Sequence, residues 1–300
     1  MRDQTRIADL LRQNAAVSVK IEEPMSRHTT FGIGGPADLF VEVNDAKNAR
    51  WVLSLLKEHE IPCMILGKGS NLLVSDAGIC GAVVKYCATG IECCGTSVVA
   101  GAGVSLAKLA TYAMQESLAG LAFAHGIPGT LGGACVMNAG AYGGEMKDVV
   151  VETTYLDSEL KECVVRGEEH EFGYRTSIFK KKPPALILGS TLKLTKGDPE
   201  EIRAEMADYA GRRREKQPLE YPSAGSTFKR PEGHFAGALI EQCGLKGLTV
   251  GGAQVSEKHA GFVINRGGAT AQDVKCLIEQ IQEIVLRETG VVLECEICIL

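Results

Sequence analysis

Three places in the chain carry polar side chains that could take part in catalysis. Arg175 lies in GYRTSIFK, Ser226 lies in SAGSTFKRP, and two glutamates lie in the final segment VVLECEICIL. The planar guanidinium of an arginine suits a carboxylate or a developing enolate better than an ammonium does. A serine hydroxyl can give a proton to a reacting carbon when nearby charges help. The alternatives are an ordinary surface cation and a serine in a turn. A hydrolase nucleophile is disfavoured, because Ala224 and Phe228 stand where a GxSxG elbow requires glycine.

The final segment alternates like a β-strand, which places its two glutamates on one face. That face would carry Val292, Glu294, Glu296, Cys298 and Leu300. Carboxylates in an apolar strand must be hydrated or paired with another polar group. One of these two glutamates is therefore predicted to line a cleft. Periodicity does not choose between Glu294 and Glu296. The CxxC spacing of Cys295 and Cys298 could suit zinc, but in a strand these thiols point to opposite faces. Packing is the preferred interpretation, and no metal is expected.

Glycine is unusually frequent and clustered. The chain has 35 glycines in 300 residues, against an average of ~7%. They concentrate in HTTFGIGGPAD from His28, in GKGSNL from Gly67 and in GIPGTLGGACVMNAG from Gly126. Glycine tolerates positive φ and lets backbone N–H groups converge on an anion. Each cluster alone could be a tight turn, but together they predict a nucleotide-type cofactor. Neither the GxGxxG of a dinucleotide fold in its strand–helix context nor a P-loop is found.

The composition is that of a globular protein. Hydrophobic residues make up 45% and charged residues 23%, and the net charge is −5, so attraction to nucleic acid or to an anionic membrane is not expected. Residues 1–20 lack the apolar run of a secretory signal, and no apolar stretch reaches the ~18 residues of a membrane span. Eleven cysteines without an export signal favour free thiols in a reducing cytosol. We expect a soluble, cytoplasmic monomer.

The elements that must position these residues alternate irregularly between helix and strand. Helices are predicted at IADLLRQN, from an Asn44 or Asp45 cap to His59, from a Ser105 cap to about Ser117, from Asp198-Pro199 to about Arg214, at FAGALIEQCG, and from about Ala271 to Glu288. Strands are predicted at LFVEV, CMIL, AVVKY, SVVAGAG, VVVETTYL, LILGSTLKLT, GFVIN and VVLECEICIL. This order favours an α+β or mixed α/β architecture over a doubly wound sheet. The domains are predicted to be residues 1–86, 87–215 and 216–300.

Six segments occur in order over nearly the whole chain: GKGSNLLV, GIPGTLGGACVMNAGAYG, YRTSIFK, AGSTFKRP, GFVIN and LECE. As a set they resemble the UDP-N-acetylenolpyruvoylglucosamine reductases, flavoenzymes of peptidoglycan precursor synthesis and hence of cell wall biogenesis, cell shape, cell cycle and cell division. The resemblance implies non-covalent FAD in a two-subdomain FAD-binding fold of the vanillyl-alcohol oxidase/PCMH type. It also implies a C-terminal α+β domain that binds the substrate.

The resemblance further implies a reaction and its residues. NADPH reduces the flavin, and flavin N5 passes a hydride to the enolpyruvyl double bond of UDP-N-acetyl-3-O-(1-carboxyvinyl)glucosamine. Protonation of the neighbouring carbon then gives UDP-N-acetylmuramate. Carried over by motif, Arg175 stabilises the enolate, Ser226 donates the proton, and Glu296, rather than Glu294, polarises the substrate carboxyl with Arg175. Substrate contacts are expected at Tyr174, Lys216, Lys229 and Arg230. FAD contacts are expected at Thr30, Gly32, Gly34, Gly67, Gly69, Ser70, Asn71, Leu72, Gly126, Pro128, Gly129, Gly132, Gly133, Asn138 and Gly140.

The segment after Arg175 is short. Only FKKKPPALILGST leads from the arginine motif into the next strand, so the chain looks like the shorter type of this family, which lacks a substrate-clamping tyrosine loop. Two rival hypotheses stay open. One is an oxidase of the same flavin fold acting on another substrate, with flavin bonded covalently to His28 or Cys135. The other is a nucleotide-sugar binding protein without catalytic activity.

Overall fold

The computed structural model describes residues 2–182 and 186–300. The helices are α1 (Arg2–Arg12), α2 (Ala46–Glu58), α3 (Leu106–Gln115), α4 (Leu131–Met137), α5 (Ile178–Lys181), α6 (Pro199–Lys216), α7 (Ala236–Gln242) and α8 (Ala271–Thr289). The strands are β1 (Val17–Pro24), β2 (Pro36–Val43), β3 (Cys63–Leu66), β4 (Leu72–Leu73), β5 (Ile79–Tyr86), β6 (Ile91–Cys94), β7 (Ser97–Gly101), β8 (Leu118–Ala119), β9 (Gly140–Ala141), β10 (Gly144–Glu145), β11 (Val150–Leu156), β12 (Glu162–Arg166), β13 (Leu186–Lys193), β14 (Thr195–Lys196), β15 (Thr249–Val250), β16 (Ala253–Val255), β17 (Val263–Asn265) and β18 (Cys298–Ile299).

The chain divides into two compact units. Unit 1 comprises Met1–Ile21, Leu39–Lys68 and Gly81–Arg212, and unit 2 comprises Glu22–Asp38, Gly69–Cys80 and Arg213–Leu300. The glycine cluster GKGSNL therefore crosses from one unit to the other after Lys68. Within the described parts of the chain, no helix is both long and apolar enough to cross a bilayer.

Two sheets carry unit 1. One has the strand order β1-β2-β5-β3, with β3 and β5 parallel. The other has the order β12-β11-β13-β7-β6 and is antiparallel at every pairing. The predicted stripe of α2 is confirmed, because Ala49, Val52, Leu53 and Leu56 are buried in the same apolar core as the inward faces of both sheets. Burial of these stripes provides the main driving force for folding of the unit.

The predicted helix starts are also confirmed. The Asp45 carboxylate accepts the Asn48 N–H at 2.8 Å, and the Ser105 hydroxyl caps α3 by accepting the Lys108 N–H at 3.3 Å. Helix α6 begins at Pro199, where a missing N–H costs nothing. Local side-chain chemistry fixes these ends without reference to the rest of the fold.

Unit 2 is built on the antiparallel sheet β15-β16-β17 and the helices α7 and α8. Helix α8 starts in a capping box of Thr270 and Asp273. A second cap comes from Asp76, whose carboxylate accepts the N–H groups of Ala271 and Gln272 at 2.8 and 3.1 Å. The segment after β4 is thereby attached to the start of α8. Strand β4 itself pairs in parallel with β18, with Leu72 opposite Cys298.

Two predictions of local structure were wrong. The segment VVLECEICIL is not one strand: only Cys298–Ile299 forms a strand, and Cys295 makes a single bridge to Phe228. The alternation of apolar residues in this segment does match the observed burial, since Leu293 and Ile297 are 1% and 4% exposed. The segment changes its pairing partner midway, from residues 227–229 to β4. The alternation of apolar residues along a sequence does not encode such a change. The long glycine-rich stretch, for which no helix was predicted, contains α4, which Thr130 caps.

A chain of buried hydrogen bonds runs from α4 to the segment that precedes Arg175. His170 Nδ1 lies 2.9 Å from Gly167 O, and because a carbonyl only accepts, Nδ1 carries the proton. His170 Nε2 then accepts from Thr153 at 2.9 Å, Thr153 from Ser190 at 2.9 Å, and Ser190 from the Cys135 thiol at 3.4 Å. Burial lowers the pKa of His170 and raises that of Cys135 to about 11. Burial therefore disfavours protonation of the His170 imidazole in the folded protein.

The lowered pKa of His170 predicts that the stability of the protein depends on pH. Unfolded His170 binds a proton near its ordinary pKa of about 6.5, whereas the folded imidazole resists protonation, so the free energy of unfolding should fall as pH drops below that value. Urea unfolding at several pH values should show a flatter profile for His170→Gln, whose amide still offers one donor and one acceptor. A residual slope is expected from His259, whose pKa is also lowered by burial. Parallel profiles for the two proteins would contradict this account.

Candidate active site

Ser226 and Glu296 lie on neighbouring extended segments of unit 2. The Lys229 N–H donates to Glu294 O at 2.8 Å, and the Glu296 N–H donates to Thr227 O at 2.9 Å. Ser226 is exposed and Glu296 is half-buried. Gly225, directly before Ser226, has φ +81°, a left-handed conformation that glycine adopts without strain. The structure thus holds two of the three predicted catalytic residues through one short antiparallel pairing.

Thr227 anchors the serine segment from within. It is 1% exposed. Its N–H donates to Gly261 O at 2.9 Å, and its hydroxyl accepts the Val263 N–H at 3.0 Å. Both partners belong to the start of the predicted GFVIN strand, so that motif supports the serine. Thr227 was not among the predicted site residues, and only its place inside the AGSTFK motif could have indicated this role.

The two glutamates have different surroundings. Glu294 accepts a hydrogen bond from the Lys229 ammonium at 2.8 Å, and this bond together with the charge of Lys229 lowers the pKa of Glu294. Lys229, a predicted substrate contact, is therefore engaged by a carboxylate. The Arg230 guanidinium lies 4.0 Å from the centroid of the Phe235 ring, which is 61% exposed. Lys216, the last residue of α6, is exposed.

The first glycine cluster packs against the second one within unit 2. The Thr30 N–H donates to Gly69 O at 3.1 Å, and the Thr30 hydroxyl donates to Ser223 O at 2.7 Å. Gly34, at φ +138°, lies so close to Val74 that a Cβ would be 2.9 Å from its side chain, whereas Gly32 has more space. Thr30 and Gly34 thus hold the loops together, and Thr30 also reaches the segment that carries Ser226.

The second cluster fits the phosphates of a nucleotide cofactor. At Gly69, with φ +61°, a Cβ would lie 2.1 Å from His28 O, so the backbone path requires glycine. Among the residues that the structure describes, the N–H groups of Gly69, Ser70 and Asn71 have no hydrogen-bond acceptor. Buried N–H groups without partners are rare, and successive N–H groups beside a left-handed residue form an anion-binding concavity. Leu72 continues from them into β4.

The third cluster serves mainly close packing in unit 1. Thr130 of this cluster lies so close to Gly67 of the second cluster that a Cβ on Gly67 would be 2.6 Å from the Thr130 hydroxyl. A Cβ on Gly132 would lie 2.9 Å from the Ala102 Cβ. The N–H groups of Leu131 and Gly132 donate to Val104 O and Ala102 O at 2.8 and 2.9 Å. The start of α4 is therefore satisfied largely by the protein itself. The other predicted contacts here are Gly126, Pro128 and Gly129 before α4, Gly133 within it, and Gly140 in β9.

Arg175 lies in unit 1, at the tip of a tight turn. Gly173 and Thr176 exchange two backbone hydrogen bonds of 3.1 and 3.3 Å, and Arg175 between them has φ +54°. This is an uncommon conformation for a residue with a side chain. The Arg175 guanidinium lies 5.3 Å from the centroid of the neighbouring Tyr174 ring, and Tyr174 is 51% exposed. The segment in which a tyrosine loop is predicted to be missing includes residues 183–185, which lie outside the described residues.

Asn138 fixes this turn to the end of α4. Its amide donates to Gly173 O and to the Glu145 carboxylate, both at 3.0 Å, and accepts the Lys147 N–H at 2.9 Å. Asn138 is fully buried, and these protein groups engage its side chain, so its observed role is structural. Burial disfavours the charged form of Glu145, but hydrogen bonds from Lys147 and Asn138 and the charges of Lys147 and Arg175 outweigh it and lower its pKa. Glu145 was missed because no motif marks it.

The position of Cys135 argues against covalent flavin at that residue. Its thiol is 0% exposed and donates to Ser190, and burial keeps it protonated. A covalent bond to flavin requires an accessible thiolate. The other candidate, His28, lies 2.9 Å from the Glu23 carboxylate through its Nε2.

Known proteins match both parts of the chain. Residues 37–160 match the family described as an FAD binding domain, and residues 217–300 match the C-terminal domain of UDP-N-acetylenolpyruvoylglucosamine reductase. The UDP-N-acetylenolpyruvoylglucosamine reductase of Caldanaerobacter subterraneus subsp. tengcongensis is 50% identical over 278 residues, which cover 92% of either chain. That of Clostridioides difficile is 46% identical over 302 aligned positions, covering 100% of this chain and 99% of the relative.

A solved structure agrees with these sequence matches. The crystal structure of UDP-N-acetylenolpyruvylglucosamine reductase from Thermus caldophilus matches with a TM-score of 0.80 and 35% identity, over 94% of this chain and 98% of that one. The prediction of an FAD-binding fold followed by a C-terminal α+β domain is confirmed. The chain belongs to the UDP-N-acetylenolpyruvoylglucosamine reductase family.

Proposed function

We propose that this protein is an FAD-dependent reductase that converts UDP-N-acetyl-3-O-(1-carboxyvinyl)glucosamine to UDP-N-acetylmuramate, with NADPH as hydride donor. Within this family, the observation that carries the proposal is the pairing of the Ser226 and Glu296 segments beside the N–H groups of residues 69–71. An anion site and a proton donor are thereby supported by one hydrogen-bonded framework.

FAD would be held by the N–H groups of Gly69, Ser70 and Asn71. When bound, it accepts a hydride from NADPH and supplies one to the enolpyruvyl double bond. Adding a hydride to that bond leaves negative charge on the carbon beside the substrate carboxylate. Catalysis then requires positive charge placed in advance and a proton, rather than a nucleophile.

Arg175 would supply the charge and Ser226 the proton. The left-handed turn at Arg175 is held by Asn138, so its guanidinium is presented from a fixed backbone. Such preorganisation avoids the cost of ordering a charge during the reaction. The hydroxyl of Ser226 would protonate the carbanion, and because Ser226 is exposed, water can replace the lost proton. Glu296 would polarise the substrate carboxyl.

The substrate contacts follow from charge. The diphosphate of the nucleotide sugar would be bound by Lys216, Lys229 and Arg230. Lys229 would either keep its ion pair with Glu294 while it binds the diphosphate or give that pair up. Tyr174 would contact the substrate beside Arg175. We also propose the domain division at residues 86 and 215, the shorter family type without a tyrosine loop, and a cytoplasmic monomer.

The first test is the reaction itself. FAD-loaded protein mixed with NADPH and the enolpyruvyl nucleotide sugar should oxidise NADPH only when the sugar is present, and one UDP-N-acetylmuramate should form for each NADPH consumed. Nicotinamide absorbance and product mass measure both quantities. Binding of the sugar without NADPH oxidation would instead support the nucleotide-sugar binding protein and overturn the proposal.

The role of Ser226 predicts a separation of the two half-reactions. Ser226→Ala should still be reduced by NADPH at the wild-type rate, while turnover falls by roughly 10²- to 10⁴-fold, the usual contribution of a positioned acid. Stopped-flow absorbance of the flavin measures the two halves separately. Ser223→Ala, three residues upstream, is the control, because the hydrogen bonds of Ser223 with Thr30 run through its backbone. Unchanged turnover in Ser226→Ala would exclude it as the acid.

The backbone path at Gly69 predicts loss of FAD. In Gly69→Ala the left-handed φ costs about 1–2 kcal/mol, and the added Cβ would also displace the His28 carbonyl, so the loop should move and FAD affinity should drop. Gly95→Ala is a matched control, because Gly95 has φ +64° with open space around its Cβ position. Fluorescence titration with FAD checks both variants. Equal affinities would show that the 69–71 loop does not hold the cofactor.

A further inference from the structure

Asn71 connects the second glycine cluster directly to the peptide of Glu296. Its side-chain amide donates to Glu296 O at 3.2 Å, and its own carbonyl accepts the Cys298 N–H at 2.9 Å. We propose that Asn71 is a positioning residue that couples FAD binding at residues 69–71 to the orientation of Glu296. This inference rests on the proposed roles of Glu296 and of the 69–71 N–H groups.

The peptide groups of Glu296 are hydrogen-bonded on both sides. On one side its N–H donates to Thr227 O at 2.9 Å, and on the other its C=O accepts from Asn71. These two bonds fix the backbone on either side of the Glu296 Cα, and the direction of the side chain depends on that backbone. Removing the Asn71 bond frees one side while the bond to Thr227 remains.

The remaining contacts between the two segments lie farther along the chain. The Leu300 N–H donates to Leu73 O and the Ser75 N–H donates to Leu300 O, both at 2.9 Å. These bonds hold residues 298–300 against 71–75 without touching the Glu296 peptide. Loss of the Asn71 amide should therefore loosen Glu296 selectively and leave the β4–β18 pairing in place.

The same residue contributes to the cofactor loop. The Asn71 N–H has no acceptor among the described residues, and it follows the N–H groups of Gly69 and Ser70. An anion bound by these groups restricts the backbone of Asn71. It thereby also restricts the position of the Cα atom from which the Asn71 side chain extends. By linkage, if FAD strengthens the Asn71–Glu296 bond, the bond must strengthen FAD binding by the same factor.

The test uses the full-length FAD-loaded protein. Asn71→Ala removes the donor, and Asn71→Leu removes it while keeping the bulk, in case the smaller side chain impairs folding. At saturating FAD, the rate of reduction by NADPH measures any effect of the variant on the cofactor loop itself, and reoxidation should slow by a larger factor. Reoxidation by the enolpyruvyl sugar should slow, by up to roughly 100-fold for a misplaced group. Gln254→Ala, which removes an amide-to-carbonyl bond of 3.3 Å to Gly247 in the same unit, should alter neither rate.

A double-mutant cycle separates coupling from general damage. Glu296→Gln alone should slow reoxidation, and adding Asn71→Ala to it should have little further effect, because the residue through which Asn71 acts is already changed. Full additivity would overturn the coupling while leaving the proposed function intact. Normal reoxidation by Glu296→Gln would remove the role of Glu296 and with it this inference. Absence of activity in the wild-type protein would instead be a failure of the proposed function.

Hydrogen exchange gives a readout independent of activity. Adding FAD to the apoprotein should slow exchange of the Glu296 amide in the wild-type protein. That gain in protection should be lost in Asn71→Ala. An equal gain in both proteins, or none in either, would overturn the coupling.

Discussion

The candidate site depends on the hydrogen bonding of residues 294–300 to two other extended segments of unit 2. On one side Thr227 and Lys229 bond to Glu296 and Glu294, and on the other Asn71 and Leu73 bond to the same final segment. The proposed proton donor, the carboxylate and the proposed anion-binding loop are thereby attached to one backbone framework. Backbone hydrogen bonds are well suited to this task, because they fix position without adding charge.

Close backbone approach is the second constraint, and it explains glycine at several positions of the three clusters. Gly34, Gly67, Gly69 and Gly132 each lie where a Cβ would come within 3 Å of another atom. The loop from Gly69 also leaves three successive N–H groups without acceptors among the described residues. Glycine clusters in a sequence thus have two physical meanings, and only one of them concerns a phosphate. The helix start at α4 illustrates the other, since its first N–H groups bind carbonyls of the protein.

The charges around the site are arranged locally, against a net charge of −5 for the chain. Lys229 is held by Glu294, while Arg175 sits in a rigid turn near enough to Glu145 to help lower the pKa of that carboxylate. Lys229 thus has a carboxylate partner that orders its ammonium group. Exposed pairs of this kind stabilise the fold little, so their value lies in position.

The sequence by itself determined the local features of this protein. Helix caps at Asp45 and Ser105, the stripe of α2 and the burial of Leu293 and Ile297 follow from side-chain chemistry and periodicity, which act over a few residues. The ordered motifs indicated the family and the candidate residues. Tertiary structure alone decided that the final segment exchanges one partner for another at Glu296, that Asn71 bonds to it, and that Asn138 holds the Arg175 turn. These contacts join residues far apart in the chain, and a hydrogen bond between distant residues leaves no periodic trace in the sequence of either one.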